Sequence, residues 1–213
     1  MKPCQNPCNN NENIFPDPLF VFTEKMVNVC VMKVIETEIE GLKIIDPDIY
    51  NDKRGFYLET YSKERYSEIG IGQEFIQDNI SKSFAGVFRG LHWQAYPYCQ
   101  SKLVSVIKGT ALDFAVDIRK GSPTFGKWKM VLLSGNTHRQ FYIPVGFAHG
   151  FLALEDDTIF SYKVDKPWNK ESERGLSVFD PELKIGLGKD IILSDKDRQH
   201  KMLYEIEPYE EGN

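Results

Sequence analysis

The stretch KLVSVIKGTALDFAVDIR, residues 102–119, decides the fold class. Its second half alternates strictly, because the even-numbered residues from 112 to 118 are apolar whereas Asp113 and Asp117 fall on the opposite face of an extended chain. A single glycine separates this half from the equally β-rich first half. The pattern predicts two strands joined by a turn. Asp113 is expected to face a barrel interior, whereas Asp117, close to Arg119, is expected on a solvated face.

Similar short β-rich runs recur between turn signals along most of the chain. They are LKII (42–45), FYLETY (56–61), FIQDNIS (75–81), VFRGLHW (87–93), KWKMVLL (127–133), RQFYIP (139–144), HGFLAL (149–154) and TIFSYKV (158–164). Helical patterns are limited to SKERYSEIG (62–70) and SDKDRQHKM (194–202), each of which opens with a serine suited to an N-cap. Many short strands at regular spacing predict an all-β barrel or sandwich rather than βαβ units.

The N-terminal residues differ from the rest of the chain. Up to about residue 17 the sequence is rich in Asn and Pro and has no usable period. Met32 then opens MKVIETEIEGLKII, which is typical of the start of a domain. Because 213 residues suit one β domain, we expect a poorly ordered extension over residues 1–31 and a single domain over residues 32–213.

Composition limits the kind of partner. With 26 Lys and Arg against 31 Asp and Glu, the net charge of −5 provides no general attraction to nucleic acid or anionic membranes. No apolar run approaches the roughly 20 residues of a spanning helix, and the N-terminus lacks the layout of a secretory signal. Cys4 and Cys8 have no second pair at ligand spacing, and Cys30 and Cys99 stand alone. We expect a soluble, cytoplasmic protein with reduced thiols and a small-molecule partner.

The segment IPVGFAHGF, residues 143–151, resembles the second half of the cupin signature, in which a Pro-x-Gly turn precedes a histidine, here His149. In the first half, His92-x-Gln94 replaces the usual pair of histidines, and Lys102 stands where a cupin metal site has glutamate. A cation there would repel a divalent metal, and two imidazoles are too few for a tight site. The resemblance therefore implies a cupin-like jelly-roll β-barrel or sandwich with a few short peripheral helices, and we expect neither metal nor cofactor.

Several motifs occur together in an order typical of one family. They are KRGFYLETY, FIQDNISKS, FRGLHWQ, SKLVSVIKG, AVDIRKGSPTFGKW, IPVGFAHGF and SYKV. In this order, from about residue 32 to residue 197, the chain resembles dTDP-4-dehydrorhamnose 3,5-epimerases. The resemblance implies epimerisation at C3 and C5 of dTDP-4-dehydro-6-deoxy-D-glucose, which yields dTDP-4-dehydro-L-rhamnose. It also implies a homodimer in which N-terminal strands exchange between subunits.

This chemistry can be matched to residue types. A 4-keto group acidifies the hydrogens on C3 and C5, so inversion needs a base on one face, an acid on the other and a cation near the enolate oxygen. An imidazole titrates near neutral pH, which makes His92 the expected base. By resemblance, Tyr162 is the acid and Lys102 the cation. Asp197 matches the family carboxylate that holds the base, although its place three residues after Ser194 also suits a helix N-terminus.

Two arginines, Arg54 and Arg89, are expected to bind the diphosphate, because planar guanidinium groups match phosphate oxygens. Trp168 falls where the family stacks an aromatic ring on the base. The remaining positions that the resemblance assigns to substrate binding are Glu59, Gln77, Asp78, Asn79, Lys102, His149, Glu173 and Lys196. In a regular strand Arg89 and His92 would point to opposite faces, so a common pocket predicts a bulge or kink at Gly90.

The chain departs from the family pattern in the stretch AYPYCQS (95–101) and in GLGKD (186–190), which both border the predicted site. Other substrates and reactions therefore stay open. The alternatives are an epimerase acting at C3 or C5 alone on another nucleotide-linked 4-keto sugar, including a GDP-linked heptose, and a 3,4-ketoisomerase. A non-catalytic sugar-nucleotide binding protein and a metal-dependent oxygenase are the alternatives from other classes.

Overall fold

A computed structural model describes residues 26–29, 32–188 and 190–210 of the chain. Of the expected N-terminal extension, the described part is the strand Met26–Val29, which pairs antiparallel with Met32–Glu36. The remainder of that extension, with Cys4, Cys8 and Cys30, lies outside the described residues. The division at residue 32 stays a prediction.

Strands make up most of the described chain. They are β1 Met26–Val29, β2 Met32–Glu36, β3 Lys43–Asp46, β4 Tyr50–Asp52, β5 Gly55–Tyr57, β6 Gln77–Ser83, β7 Phe88–Gln94, β8 Lys102–Lys108, β9 Thr110–Asp117, β10 Trp128–Ser134, β11 Gln140–Ile143, β12 Phe147–Ala153, β13 Thr158–Val164 and β14 Glu173–Gly175. The helix α1 spans Lys63–Glu68, and short 3-10 helices span Asp197–Gln199 and Leu203–Glu205. None of the helices in the described ranges has the length and apolarity that a membrane crossing requires. Cytoplasmic location stays a prediction.

Two antiparallel sheets form the body of the domain. One has seven strands in the order β1-β2-β3-β11-β8-β13-β6, the other has five in the order β10-β9-β12-β7-β14, and β4 and β5 form a separate hairpin. The core between the sheets takes apolar side chains from both, among them Val104 and Phe160 from the first sheet and Ala115 and Phe151 from the second. Each fully buried Val or Phe side chain contributes about 1.5–3 kcal/mol. The architecture confirms the predicted all-β, jelly-roll class.

The outer face of each sheet is covered by a different part of the chain. The C-terminal segment from Leu176 to Tyr209 packs on the five-stranded sheet, and the Trp128 indole fixes it by donating a hydrogen bond to the Leu183 carbonyl at 2.7 Å. Helix α1 covers the seven-stranded sheet, where buried Tyr66 donates to the side-chain oxygen of Gln140. Part of the outer face of each sheet is thus covered, and the space between the sheets is available for a pocket.

Strand β9 carries Asp113 and Asp117. Asp113 is fully buried, in agreement with the prediction that it faces the interior. The solvated position expected for Asp117 is wrong, because its side chain is also fully buried. Its carboxylate accepts hydrogen bonds from Arg119, Ser122 and Thr124 at 2.6–3.0 Å in the loop that follows. The alternation shows on which face a side chain lies but cannot show that a later loop folds over it.

The two predicted helices differ in outcome. The first is confirmed, since α1 begins after Ser62 and ends before Gly70, which takes a φ of +79° that glycine adopts without strain. The second is reduced to a single turn of 3-10 helix, Asp197–Gln199. His200 adopts an extended conformation, and Lys201 continues as a bridge to Leu176. Pairing with Leu176, the residue after β14, therefore ends the helix.

Candidate active site

A pocket of about 500 Å³ lies between the two sheets. The rings of Phe151 and Phe160, one from each sheet, stack at 3.9 Å between centroids and form part of its wall. Nine of the predicted site residues line this pocket: Arg89, His92, Lys102, His149, Tyr162, Trp168, Glu173, Lys196 and Asp197. The fold thus gathers residues that are far apart in the sequence into one site.

The predicted bulge is present in β7. His92 pairs with His149 and Arg89 pairs with Phe151, so Gly90 and Leu91 together face a single residue of β12. The extra residue shifts the alternation and brings Arg89 and His92 to the same pocket. Gly90 has a φ of +128°, and a Cβ atom there would lie 2.6 Å from the Cα of Gly150. Glycine is therefore required for the conformation that aims the histidine.

Asp197 contacts the ring of His92. Its Oδ1 lies 2.8 Å from His92 Nε2, while Oδ2 accepts a long hydrogen bond of 3.4 Å from the Gly90 N–H. Burial disfavours the charged carboxylate, but the hydrogen bond and charge of His92 and the Gly90 N–H outweigh it and lower the pKa of Asp197. Of the two roles predicted for Asp197, the geometry matches that of a partner to the histidine. In the adjacent turn the Asp197 N–H donates to Ser194 Oγ at 3.1 Å.

Lys102 is a buried cation of the pocket. It enters from β8 of the seven-stranded sheet and donates a hydrogen bond of 3.3 Å to the His92 carbonyl of the opposite sheet. Burial lowers the pKa of Lys102 to about 8, although the negative charges of Asp113 and Glu173 act in the other direction. The ammonium form still predominates at neutral pH, and little water is available to screen it.

His149 and Asp113 form a buried pair next to the pocket. His149 Nε2 lies 2.9 Å and 3.0 Å from the two carboxylate oxygens of Asp113. Burial raises the pKa of Asp113 and lowers the pKa of His149, while the hydrogen bond and charge between the two groups act in the other direction on each. The pair fixes the orientation of His149 toward the pocket.

Tyr162 lines the same pocket as His92 but comes from the other sheet. It comes from β13 of the seven-stranded sheet, whereas His92 comes from β7 of the five-stranded sheet. Burial raises the pKa of Tyr162, and nearby Arg89 offsets only part of this shift. The phenol therefore keeps its proton at neutral pH and can act as a donor. A planar ligand held between the sheets would have a base on one face and a proton donor on the other.

Charged and aromatic groups surround the mouth of the pocket. Trp168 is 55% exposed and offers a ring face to a ligand, while Lys196 forms an ion pair with Glu173 at 2.7 Å. Arg89 donates hydrogen bonds to Ser83 Oγ and to a backbone carbonyl at 3.0 and 3.1 Å. These contacts hold a guanidinium in place in the pocket that His92 also lines, as phosphate binding needs.

Five predicted substrate-binding residues do not line the pocket formed by this chain. Arg54 lies on the β4–β5 hairpin and pairs with Asp52 at 2.6 Å, and Glu59 pairs with Arg65 at 2.9 Å. On β6, Gln77 and Asn79 hydrogen-bond to each other, and Asn79 lies opposite Tyr162 in the sheet. Asp78 points to the other face of β6 and pairs with Lys163. The roles of these five residues stay predictions.

Sequence reasoning missed several polar residues of the site region. Ser81 lines the pocket, and its buried hydroxyl has no hydrogen-bond partner among the described residues. Its signal was the alternation of β6, which places it on the same face as Gln77 and Asn79. Gln100 also lines the pocket, and His200 lies behind Asp197. Neither stands at a position that the family motifs mark.

Within the described ranges, a single group of side chains could hold a metal ion. The donor atoms of His92, Asp197 and His200 all lie within 4.8 Å of one another. A metal ion there would take over the Nε2 atom and the carboxylate that now form the 2.8 Å contact. The expectation of a metal-free site stays a prediction.

Comparison with known proteins identifies the family. Residues 36–205 match the sequence profile described as dTDP-4-dehydrorhamnose 3,5-epimerase. The chain belongs to the dTDP-4-dehydrorhamnose 3,5-epimerase family. A curated relative of that name from Shigella flexneri is 48% identical, over 78% of this chain and 93% of its own length. The predicted resemblance is confirmed, and the chain is an isomerase of the carbohydrate epimerase class.

Solved structures of epimerases share the fold. The 3,5-epimerase of Legionella pneumophila Philadelphia 1, in complex with dTDP-4-keto-L-rhamnose, is 50% identical, with a TM-score of 0.79, over 83% of this chain and 95% of its own. ChmJ of Streptomyces bikiniensis, described as a 3'-monoepimerase and solved with dTDP-quinovose, is 32% identical, with a TM-score of 0.74, over 79% of this chain and 86% of its own. The similarity therefore includes both a 3,5-epimerase and a 3'-monoepimerase.

Proposed function

We propose that the chain converts dTDP-4-dehydro-6-deoxy-D-glucose into dTDP-4-dehydro-L-rhamnose by inverting C3 and C5. The observation that carries this proposal is the placement of His92 and Tyr162 on facing sheets of one pocket, with the Lys102 ammonium buried beside them. Epimerisation needs a base and an acid on opposite faces of the sugar, and this pocket supplies both. The relatives named above support dTDP as the nucleotide.

The reaction follows from the roles of three residues. His92, held at Nε2 by Asp197, accepts the proton from C3 or C5, and the electron pair of that C–H bond moves through the ring to the C4 oxygen. Lys102 stabilises the resulting enolate, a contribution typically of about 10²–10³-fold. Tyr162 then donates its phenolic proton to the same carbon from the opposite face as the carbonyl re-forms. Proton exchange with water returns His92 and Tyr162 to their starting forms.

The test is incubation of the protein with dTDP-4-dehydro-6-deoxy-D-glucose in deuterated water, followed by NMR of C3 and C5. We expect deuterium at both carbons and inversion of both. His92→Ala should abolish exchange, because no other base lies on its face in the proposal. Tyr162→Phe should impair inversion more than exchange, since His92 can still remove a proton and return one to its own face. Absence of deuterium at both carbons with the unmodified protein would falsify the assigned substrate.

A second candidate is epimerisation at C3 alone. It is favoured by the similarity to ChmJ, a 3'-monoepimerase with the same fold. The same NMR experiment separates the two functions, because a C3-epimerase leaves hydrogen at C5. The position of the product carbonyl, read from the same spectra, distinguishes both from a 3,4-ketoisomerase.

We further propose that the protein acts as a homodimer in which Arg54 and Glu59 complete the pocket of the partner. Both residues lie outside the pocket of their own chain, and the hairpin that carries Arg54 exposes Tyr50, Phe56 and Tyr57 by 54–68%. Such apolar exposure is typical of a surface that packs against another chain. Burial of this hairpin against a second copy would remove that apolar area from water.

Mixing Arg54→Ala and His92→Ala subunits tests this arrangement. If Arg54 acts in the partner's pocket, a mixed dimer has one site that retains both residues, so activity should appear on mixing two inactive proteins. Light scattering should show a dimer for each protein. If verified mixed dimers stay inactive, Arg54 does not act in the partner's pocket.

A further inference from the structure

His200 lies directly behind the pair formed by His92 and Asp197. Its Nε2 atom is 3.6 Å from Asp197 Oδ1, the same oxygen that lies 2.8 Å from His92 Nε2. The two imidazole rings meet edge to face, with centroids 5.1 Å apart and an angle of 83° between the planes. Two histidines therefore converge on one carboxylate oxygen, and the substrate pocket lies on the side of His92.

The ring of His200 is held by its surroundings. Its side chain is only 9% exposed and rests against Gly175 of β14, which pairs with His92 in the five-stranded sheet. A Cβ atom at position 175 would lie 2.2 Å from His200 Cδ2. Only glycine leaves room for the imidazole there, so backbone and ring fit each other closely behind the catalytic histidine.

The environment selects one protonation state of His200. Burial and the charge of His92 lower the pKa of His200, and the opposing effect of Asp197 is smaller, so the ring is neutral at neutral pH. Nδ1 is buried and has no hydrogen-bond partner among the described residues. A proton on Nδ1 would leave a buried donor unpaired and turn the lone pair of Nε2 toward a carboxylate, which is unfavourable. The proton therefore resides on Nε2 and points at Asp197.

We propose that His200 is a positioning residue, which donates its Nε2–H to Asp197 in the loaded site and holds this carboxylate against His92. The inference rests on the proposed function, namely on His92 as the base. The distance of 3.6 Å is slightly longer than a hydrogen bond, and such contacts in unliganded sites often tighten when substrate binds. Outer partners of metal ligands, which orient those ligands in a comparable way, typically affect activity by about 10–100-fold, and we expect a loss of similar size here.

The test compares His200→Leu with His200→Gln in steady-state kinetics. Leu fills the space but has no donor, so kcat should fall by about 10–100-fold while KM changes little. Gln carries an amide N–H near the position of Nε2 and should retain most of the activity. Gln199→Leu, at the exposed neighbouring position, is the matched control and should match the unmodified protein. A kcat in His200→Leu equal to that of the control, or equal losses in Leu and Gln, would overturn the inference.

Two further measurements separate positioning from a role in folding. In an Asp197→Ala background, His200→Leu should cause no additional loss of kcat, because His200 acts through that carboxylate; an additive loss would contradict the proposal. Gly175→Ala should displace the ring without removing the imidazole and should lower kcat in the same way. If the unmodified protein exchanges deuterium and His92→Ala does not, unchanged kinetics in His200→Leu and Gly175→Ala refute only the role of His200. Absence of exchange in the unmodified protein refutes the proposed function itself.

Discussion

Replacing Lys102 by methionine is expected to stabilise the protein and to remove most of its activity. Burial lowers the pKa of Lys102 from 10.5 to about 8. At about 1.4 kcal/mol per pH unit, this fall corresponds to about 3 kcal/mol by which the folded protein disfavours the ammonium relative to the unfolded chain. Methionine has a similar length and no charge, so the variant should gain up to about this amount at pH 7. Loss of the cation beside the enolate should lower kcat by about 10²–10³-fold.

The direction of the pKa shift determines how the stability difference between the two proteins changes with pH. Because the pKa of Lys102 is lower in the folded state, the unfolded chain binds more protons between pH 8 and 10.5, and the free energy of unfolding contributed by this group rises across that window. The advantage of Lys102→Met should therefore be full below about pH 8 and vanish near pH 10.5. Comparison with the variant cancels all other titrating groups that the two proteins share.

Urea unfolding of both proteins at several pH values between 7 and 10.5 measures this difference, and the deuterium exchange assay measures kcat. Lys108→Met, on the same strand but exposed, is the control and should change the stability by less than about 0.5 kcal/mol. Equal m-values would show that the variants unfold in the same way. A Lys102→Met protein less stable than the unmodified one at pH 7, or a difference independent of pH, would refute the reasoning.

Two further predictions concern the backbone and the pocket mouth. Gly90→Ala should lower the melting temperature and kcat together, because its φ of +128° and the 2.6 Å approach to Gly150 leave no space for a methyl group; an unchanged melting temperature in calorimetry would count against the required bulge. Trp168→Ala should weaken dTDP binding by about 10–100-fold, as loss of one stacking contact does, whereas Trp168→Tyr should retain most of the affinity. Titration calorimetry decides this, and equal affinity of the Ala variant would exclude stacking on Trp168.

Much of the fold could be predicted from local patterns. Short β-rich runs between turn signals located most strands to within two residues, as in β9, and the two-residue period of a strand exposed the conflict between Arg89 and His92 that the bulge resolves. The pocket residues were predictable because the reaction demands a base, an acid and a cation, and the motifs supply one of each. The local sequence pattern and the chemical requirements of the reaction were enough to predict features that depend on a single strand.

Features that depend on distant parts of the chain were not predictable in this way. The helix expected after Ser194 stops after one turn because the following residues pair with Leu176, which no local propensity reveals. Asp117 is buried by its own loop, and Arg54 lies away from the pocket, because both placements depend on how loops and hairpins pack. His200 lacked a signal for the same reason, since its contact with Asp197 arises only when the turn forms.

The two glycines at the bulge place a constraint on how this barrel can be re-engineered. A Cβ on Gly90 would collide with Gly150, and a Cβ on Gly150 would lie 2.7 Å from the carbonyl of Arg89, so neither position tolerates a side chain on its own. The direction in which His92 points is thus encoded by backbone on two separate strands and not by the side chains that touch the ligand. Grafting the pocket residues onto another β-sandwich would transfer the side chains but leave His92, the proposed base, pointing to the wrong face, unless both glycines were transferred with them.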